Sequence, residues 1–215
     1  MKVLIFGASG MVGTEVLQQV LEGERIEKVI SIGRSQVNIE SPKLQQIVHD
    51  DFLNYQDIKD YLAESDICFY CLGVYQNRVS KQDFWKITVD YLSALLSDLE
   101  KVNPSITFCL FSAQGASQDE RSLFRFGNAK GRAEKELTNS TLNKKYIFRP
   151  GFINPGRKAA FSGVSLTVYQ FVYKLFPSLG IDAMDLSKVM IHVGISGRQD
   201  VIVENSDLRK ISQII

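Results

Sequence analysis

Two hydrophobic periods alternate along the first 150 residues. Short apolar runs predict buried strands over Lys2–Phe6, Lys28–Ile32, Leu44–Val48, Asp66–Leu72, Ser105–Phe111 and Lys144–Phe148. Stretches with apolar residues three or four apart predict helices over Gly10–Leu21, Tyr55–Leu62, Ser80–Val102 and Asn128–Thr138. The connection Ser35–Lys43 lacks such a stripe, so its crossover helix is expected to be missing or shortened. The alternation predicts an α/β fold with a doubly wound, mostly parallel sheet.

The last third of the chain has a different pattern. The segment Phe161–Leu179 is rich in large apolar residues, but Ser, Lys and Pro interrupt it, so it does not predict a membrane span. We expect it to form a helix that closes over a ligand, or a surface for a protein partner or a second copy. Two further helices and a short strand are predicted over Met184–Ile195, Asn205–Ile214 and Val201–Val203. The expected organisation is one domain over residues 1–215, with 151–215 as a smaller substrate or lid portion.

Three glycines stand between the first strand and the first helix. Gly7 permits a tight turn, Gly10 lets the backbone approach a phosphate, and Gly13 lets the helix pack closely on the sheet. The N-terminus of the helix offers unpaired N–H groups and a partial positive charge. The alternative is a glycine-rich turn without a ligand. The position of the three glycines between a strand and a helix favours a dinucleotide site. The predicted contacts are Gly7, Ser9, Gly10, Met11 and Val12.

The end of the second strand predicts which dinucleotide binds. An acid about twenty residues after the glycines holds the ribose 2′-hydroxyl of NAD, whereas an arginine suits the 2′-phosphate of NADP. Arg34 stands there without an acid, which favours NADP(H) over NAD(H), unless it is an ordinary solvated arginine. After the third strand, Asp51 is a candidate acceptor for the adenine amino group and Phe52 a candidate apolar wall. Asp50 or Asp51 equally suits a cap of the following turn.

Further candidates follow the later strands, because ligands of such sheets lie outside the carboxyl ends of the strands. Ser112 stands where a substrate carbonyl is expected. The other predicted cofactor contacts follow the fourth and sixth strands: Cys71, Leu72, Gly73, Pro150, Gly151, Phe152 and Ile153.

Composition excludes several classes of function. The 215 residues carry 25 basic and 24 acidic side chains, and this balance argues against nucleic acid as a partner. No secretory signal precedes the first strand, and the cysteine count is odd, so we predict reduced thiols and a cytoplasmic location. Cys68 and Cys71 lie three apart on a predicted strand and therefore face opposite ways, which favours burial. His49 and His192 lack metal-ligand spacing, so no metal site is predicted.

The chain resembles the short-chain dehydrogenase/reductase superfamily, in its atypical branch that includes the Tat-interacting-protein oxidoreductase-like proteins. The resemblance covers nearly the whole sequence and rests on these motifs: GASGMVG, IGRS, HDDF, CLGVY, VDY at Val89–Tyr91, FSAQGAS, NAKGRAEKEL, IFRPGF and VIVENSDL. It implies a Rossmann fold, NADP(H) as cofactor and a substrate site built by the C-terminal segment.

The resemblance also implies catalytic residues. Active members use a Tyr-x-x-x-Lys pair, in which the lysine binds the nicotinamide ribose and the phenol exchanges a proton, beside a serine that orients the carbonyl. Ser112 matches the serine and Lys130 the lysine, but Phe126 replaces the tyrosine and has no ionisable proton. Tyr75 and Tyr91 are the candidate substitutes.

Two hypotheses follow. The first is a reductase of a small carbonyl substrate, and the second is a non-catalytic NADP(H)-binding redox sensor or partner-binding protein. The nucleotide-binding motifs support both, while Phe126 favours the second or an altered mechanism.

Overall fold

A computed structural model gives the structure of the chain and describes residues 1–155 and 179–215. The strands of these residues are β1 (Lys2–Phe6), β2 (Lys28–Gly33), β3 (Leu44–Val48), β4 (Ile67–Tyr70), β5 (Thr107–Phe111), β6 (Lys144–Arg149), β7 (Phe152–Asn154), β8 (Gly180–Asp182) and β9 (Ile202–Glu204). One seven-stranded sheet has the order β3-β2-β1-β4-β5-β6-β9, and all its pairs are parallel. The strands β7 and β8 form a separate parallel pair.

The helices lie on both faces of this sheet. They are α1 (Met11–Glu22), α2 (Lys59–Glu64), α3 (Lys81–Trp85), α4 (Tyr91–Val102), α5 (Arg125–Asn139), α6 (Ala183–Ser196) and α7 (Asn205–Ser212). A 3₁₀ turn, Gln56–Ile58, precedes α2, and a π-helical turn, Lys86–Asp90, joins α3 to α4.

Burial on both faces explains why the central strands β1 and β4 are almost entirely apolar. Along β1, Val3 and Ile5 belong to the hydrophobic core shared with α1 and α6. The alternate residues Leu4 and Phe6 belong to the second core, shared with α2, α4 and α5. Because helices cover both of its sides, β1 buries all four residues after Lys2, as its apolar run predicts.

The predicted α/β fold with a doubly wound parallel sheet is confirmed. The structure has no helix between β2 and β3, as predicted from the missing stripe in that fully described connection. The predicted helix Ser80–Val102 exists but contains the π-helical turn. The helix α5 begins at Arg125, three residues earlier than predicted, so Phe126 lies inside its first turn.

The C-terminal part adds to the main fold. The strand β9 extends the main sheet beside β6, and α6 lies so close to the sheet that a side chain on Gly194 would come within 3.1 Å of Cys109 and 3.2 Å of Phe69. A substrate or lid role for 151–215 stays a prediction. The helix predicted over Phe161–Leu179 lies outside the described residues except for Leu179. No helix in the described ranges combines the length and apolarity needed to cross a bilayer.

All three cysteines are buried and unpaired by disulfides. Cys68 and Cys71 lie in the two different cores, which confirms that they face opposite sides of the sheet. Among residues 1–155 and 179–215, no group of three or more His, Cys, Asp or Glu side chains is arranged to hold a metal ion.

Candidate functional site

The strand order of the sheet reverses beside β1. From β1 the chain builds outward to β2 and β3 on one side, then crosses to β4, β5 and β6 on the other. In doubly wound sheets this reversal opens a crevice at the carboxyl ends of the strands, where ligands bind. The glycine turn between β1 and α1 lies at this point of the molecule.

The three glycines of the turn have different neighbours. Gly7 has a φ of 81°, and a side chain there would come within 2.7 Å of the Cys71 carbonyl group. A side chain on Gly13 would overlap the carbonyl oxygen of Gly7, so this glycine lets α1 approach the turn. A side chain on Gly10 would meet only the Gly7 oxygen, at 3.3 Å. The chain itself therefore requires Gly7 and Gly13, while Gly10 leaves open space on the outer side of the turn.

The first turn of α1 has the features of an anion-binding helix N-terminus. Gly10 is its N-cap and supplies no side-chain hydrogen bond, and no acidic residue lies in the first turn. The N–H groups at such a helix start are left for another acceptor, and the helix dipole favours a negative one. The arrangement suits a pyrophosphate in contact with Gly10, Met11 and Val12.

Arg34 follows β2 at the same edge of the sheet. Its side chain is exposed and makes no hydrogen bond or ion pair with the residues that the structure describes. The guanidinium group therefore has its donors available for a phosphate.

Asp51, after β3, accepts a hydrogen bond from the N–H of Leu53 at 3.2 Å. The turn-capping alternative for Asp51 is thus observed, and its second carboxylate oxygen is still available to a ligand.

Phe52 lies deeper than a wall residue would. Its side chain is 2% exposed and stacks on Tyr91, with ring centroids 5.3 Å apart. His49 contacts the same ring edge-on, and its Nε2 is buried without a hydrogen-bond partner among the described residues. Phe52 is therefore packed in the interior beside Tyr91 and His49, and a contact with adenine stays a prediction.

Lys130 is the cation nearest to the ends of β4 and β5. From α5, its Nζ donates a hydrogen bond of 3.2 Å to the carbonyl oxygen of Phe111. Burial lowers the pKa of Lys130 to about 8, against the opposing effects of Glu134 and Cys71. Burial also raises the pKa of the Cys71 thiol to about 12. The Lys130 ammonium group, which has N–H donors left for a ligand, thus lies close to Cys71 at the end of β4, where the backbone packs against Gly7. At Gly73 the space around the backbone is open.

Ser112 has a different environment from the one that the resemblance implies. It is 1% exposed, and its hydroxyl donates a hydrogen bond of 2.5 Å to the buried carboxylate of Glu134. Arg149 holds the same carboxylate with two nitrogens, and Gln118 donates to it at 3.1 Å. The hydroxyl hydrogen expected to orient a substrate carbonyl is therefore directed to Glu134. A substrate-orienting role for Ser112 stays a prediction, which this hydrogen bond disfavours because the buried Glu134 takes up the donor.

The sequence analysis missed Glu134 and Arg149 as parts of this site. Glu134 lies in a run of charged residues that reads as a solvated face, although it stands four residues after Lys130 and so shares its side of the helix. Arg149 ends β6 and also pairs with Glu204 at 2.8 Å. The i,i+4 spacing between Lys130 and Glu134 was the sequence pattern that could have indicated Glu134 as part of the site.

A cleft opens between α3 and the start of α5. We call it the α3–α5 cleft. It has a volume of about 640 Å³, and its lining residues are Gln76, Asn77, Lys81, Phe84, Trp85, Glu120, Leu123, Phe124, Arg125, Asn128 and Ala129. Phe126 packs with Phe84 and Ala129 in a small apolar cluster beneath it. Ala129, which lines the cleft, directly precedes Lys130 on α5, and the Lys130 side chain itself is not part of the lining.

The two candidate substitute tyrosines lie in different places. Tyr75 is 43% exposed, and the guanidinium of Arg78 lies 5.4 Å from its ring centre. Partial burial raises the pKa of Tyr75, which disfavours it as a phenolate. Tyr91 stacks on Phe52, as described above. The structure brings together the glycine turn, Cys71 and Lys130, but it holds neither phenol in a hydrogen bond with Ser112 or Lys130.

The end of β6 is shaped by close backbone packing. The N–H of Gly151 donates to the side-chain oxygen of Asn205 at 2.9 Å, and a side chain on Gly151 would overlap the carbonyl oxygen of Leu179. The carbonyl of Pro150 accepts from the N–H of Gln114 at 2.8 Å. Phe152 is 52% exposed and Ile153 is partly buried. Contacts of this segment with a nicotinamide stay a prediction.

Known proteins share this fold and parts of the sequence. Protein HTATIP2 of Rattus norvegicus is 27% identical over 154 residues, covering 70% of this chain and 62% of that protein, which is less than two thirds of its length. Protein FMP52, mitochondrial, of Candida albicans is 26% identical over 231 aligned positions, covering 99% of this chain and 98% of that protein.

Solved structures give the same fold at lower identity. Gre2 of Candida albicans in complex with NADPH has a TM-score of 0.72 at 15% identity, covering 95% of this chain and 77% of that chain. The Bordetella bronchiseptica enzyme WbmH in complex with NAD⁺ has a TM-score of 0.73 at 14% identity, covering 99% of this chain and 79% of that chain. At such identities the likeness shows the fold alone.

A family model assigns the sequence more specifically. The model of the NAD dependent epimerase/dehydratase family matches residues 3–123, a segment that includes the glycine turn, Arg34 and Ser112. Together with the HTATIP2 match, it confirms the resemblance to atypical short-chain dehydrogenases and reductases. Because the match covers more than half of the 215 residues, the chain belongs to the NAD dependent epimerase/dehydratase family.

Proposed function

We propose that this chain binds NADP(H) and reduces a small carbonyl compound with it. The observation that carries the proposal is the open outer side of Gly10 at the strand-order reversal beside β1. An uncapped helix start and the available Arg34 side chain lie at the same edge of the sheet. Such a site suits a dinucleotide whose pyrophosphate lies on α1 and whose 2′-phosphate lies at Arg34.

Each residue has one task in this proposal. Lys130 keeps its hydrogen bond to the Phe111 carbonyl and offers its other two N–H donors to the hydroxyls of the nicotinamide ribose. Gly73, with open space around it, lets the cofactor lie against the end of β4. The remaining proposed contacts are Ser9, Asp51, Leu72, Pro150, Gly151, Phe152 and Ile153. Phe52 and Cys71 support these contacts from beneath.

The chemistry needs a hydride and a proton. When bound, the reduced nicotinamide supplies a hydride to the carbonyl carbon, and solvent water supplies the proton to the carbonyl oxygen, leaving hydroxide. Water is assigned this task because Phe126 has no proton to give and the Ser112 hydroxyl donates to Glu134. In this proposal substrate and water enter through the α3–α5 cleft, which Asn128 and Ala129 line on the α5 side.

A second candidate function is cofactor binding without turnover, as in a redox sensor or a partner-binding protein. The hydrogen bond from Ser112 to Glu134 favours this second function, because it takes up the usual donor to the carbonyl, and Phe126 already lacks the usual phenol.

A cytoplasmic location also stays a prediction from the sequence, since the FMP52 relatives carry the word mitochondrial in their names.

One experiment separates the two functions. Direct titration with NADPH measures binding, and the loss of NADPH absorbance against a panel of aldehydes and ketones measures turnover. The reductase proposal expects binding together with turnover of at least one panel member. Binding without any turnover supports the sensor, and the absence of NADPH binding contradicts both.

A further inference from the structure

Two cations of the α3–α5 cleft have no task in the chemistry above. Lys81 and Arg125 both line the cleft and are exposed, and neither makes a hydrogen bond or an ion pair with the described part of the chain. Glu120, the acid among the lining residues, pairs with Arg132 at 3.5 Å, and Arg132 lies outside the lining. The two positive charges are therefore not balanced within the cleft, and its charge favours an anion.

The rest of the lining combines three amide side chains, Gln76, Asn77 and Asn128, with a cluster of large apolar side chains. Trp85, Leu123 and Phe124 are 38%, 97% and 72% exposed, and Phe84 is buried beneath them. Exposed large apolar side chains that cluster in one place indicate a binding surface. A volume of about 640 Å³ suits a small organic ligand rather than a lone ion.

The backbone at the mouth of the cleft adds an independent observation. Glu120 has a φ of 58°, in the left-handed region that a residue with a Cβ rarely adopts. Such strain persists where the surrounding structure fixes it, and it concentrates at binding sites. Here Glu120 lines the cleft and pairs with Arg132 at 3.5 Å.

We infer that the α3–α5 cleft selects carbonyl substrates that carry a carboxylate on a hydrophobic or aromatic body. Lys81 and Arg125 bind the carboxylate, and Trp85 and Phe124 contact the apolar body. In this proposal the carbonyl group is directed from Ala129 along α5 towards Lys130, the next residue in the sequence. The inference rests on the proposed reductase function, whose substrate class it names.

The cleft contains its own reporter for a test. Trp85 is the single tryptophan of the sequence, so its fluorescence reports occupancy of this cleft. The probes are hydrocinnamate and its neutral amide, hydrocinnamide, which share the phenyl body and which NADPH does not reduce. We expect hydrocinnamate to bind about tenfold more tightly, as for a carboxylate facing two partly exposed cations. Added salt should reduce this preference.

The variants assign the preference to the two cations. The double variant Lys81→Gln with Arg125→Gln should bind both probes equally. Arg121→Gln is the matched control and should keep the tenfold preference, because Arg121 lies four residues from Arg125, pairs with Asp119 and does not line the cleft. Since all these side chains are exposed, the variants should fold like the wild type.

The outcomes separate this inference from the proposed function. Equal binding of the two probes to the wild type would overturn the inference, as would a preference that survives the double substitution. Loss of NADPH binding, with the carboxylate preference intact, would overturn the reductase proposal on which it rests. In turnover assays with NADPH, phenylpyruvate should be preferred to phenylacetone, and only the double variant should lose that preference.

Discussion

The hydroxyl of Ser112 and the carboxylate of Glu134 form a hydrogen bond of 2.5 Å in the interior, which joins the end of β5 to α5. Glu134 is fully buried, and two nitrogens of Arg149 compensate its charge from β6. A buried carboxylate is tolerated when its oxygens are paired and hydrogen-bonded in this way. The strand end where a substrate carbonyl was expected is therefore a structural junction between a helix and two strands.

Removal of the charge at this junction should destabilise the fold. Glu134→Gln leaves Arg149 buried with Glu204 as its remaining acid, so we expect a loss of about 3 kcal/mol in the free energy of unfolding. Glu136→Gln, on the same helix, breaks a surface pair with Arg132 and should cost less than about 1 kcal/mol. Urea unfolding measures both variants. Equal losses would mean that burial of Glu134 contributes nothing.

Lys130 should make cofactor binding depend on pH. Its pKa of about 8 in the free protein means that its ammonium form is lost above that pH. If this ammonium binds the ribose, the NADPH association constant should fall by up to about tenfold per pH unit above 8, because binding must take up a proton. Lys130→Met should remove this dependence, whereas Lys135→Met, at an exposed position of α5, should keep it. A wild-type affinity that stays constant to pH 9.5 would contradict the role.

The same pKa predicts the sign of a stability effect. The folded pKa lies below the unfolded value of 10.5, so between about pH 8 and 10.5 the unfolded chain binds the extra proton. Lys130 therefore makes the cofactor-free fold more stable as the pH rises through this window. The Lys130→Met variant should lack this contribution in a series of urea titrations.

Arg34 should set the preference between cofactors. A charge-assisted contact with the 2′-phosphate contributes about 1.5–3 kcal/mol, so NADPH should bind roughly ten- to a hundredfold more tightly than NADH. Arg34→Ala should bring the two affinities together. Arg25→Ala is the control, because this exposed arginine lies before β2, at the opposite edge of the sheet. Calorimetric titration of wild type and both variants decides it, and equal wild-type affinities would refute the role of Arg34.

Phe126→Tyr should create or raise reductase activity. Phe126 and Lys130 lie one turn apart on α5, so a phenol at 126 shares the helix face of the ammonium group, which lowers its pKa. General acid catalysis typically contributes ~10²–10⁴-fold. The measurement is NADPH consumption with the carbonyl panel, in the variant and in the same variant with Lys130→Ala. A gain that persists without Lys130 would show that the two positions do not cooperate.

The sheet was predictable from the sequence because both of its faces are buried. Apart from Lys2, every residue of β1 and β4 is apolar, and the period changes sharply at the glycine turn. The absence of a crossover helix between β2 and β3 was also predictable, because Ser35–Lys43 has no apolar stripe that a helix could bury. The place of residues 183–215 in the main fold was not predictable. An apolar stripe on α6 shows that the helix packs against something but does not show against which surface.

The site was predictable where backbone decides it. Gly7 and Gly13 could be assigned because their tasks follow from the missing side chain alone. Ser112 was assigned from its position at a strand end, but the direction of its hydroxyl depends on Glu134, which a charged helix pattern does not distinguish from a surface acid. Long-range pairs such as Glu134 with Arg149 have no local signal.

The central claim is that a dinucleotide lies against the glycine turn, and substitution of Gly10 tests it most directly. Gly10 has φ −77° and ψ 170°, a conformation that valine adopts, and its outer side is open. Gly10→Val should therefore keep the circular dichroism spectrum of the wild type, with a lowered unfolding midpoint because its Cβ meets the Gly7 oxygen at 3.3 Å and valine is a poorer N-cap. The deciding measurement is calorimetric titration of wild type and Gly10→Val with NADPH. We predict micromolar or tighter binding by the wild type and none by the variant, and normal binding by a folded variant would contradict the account.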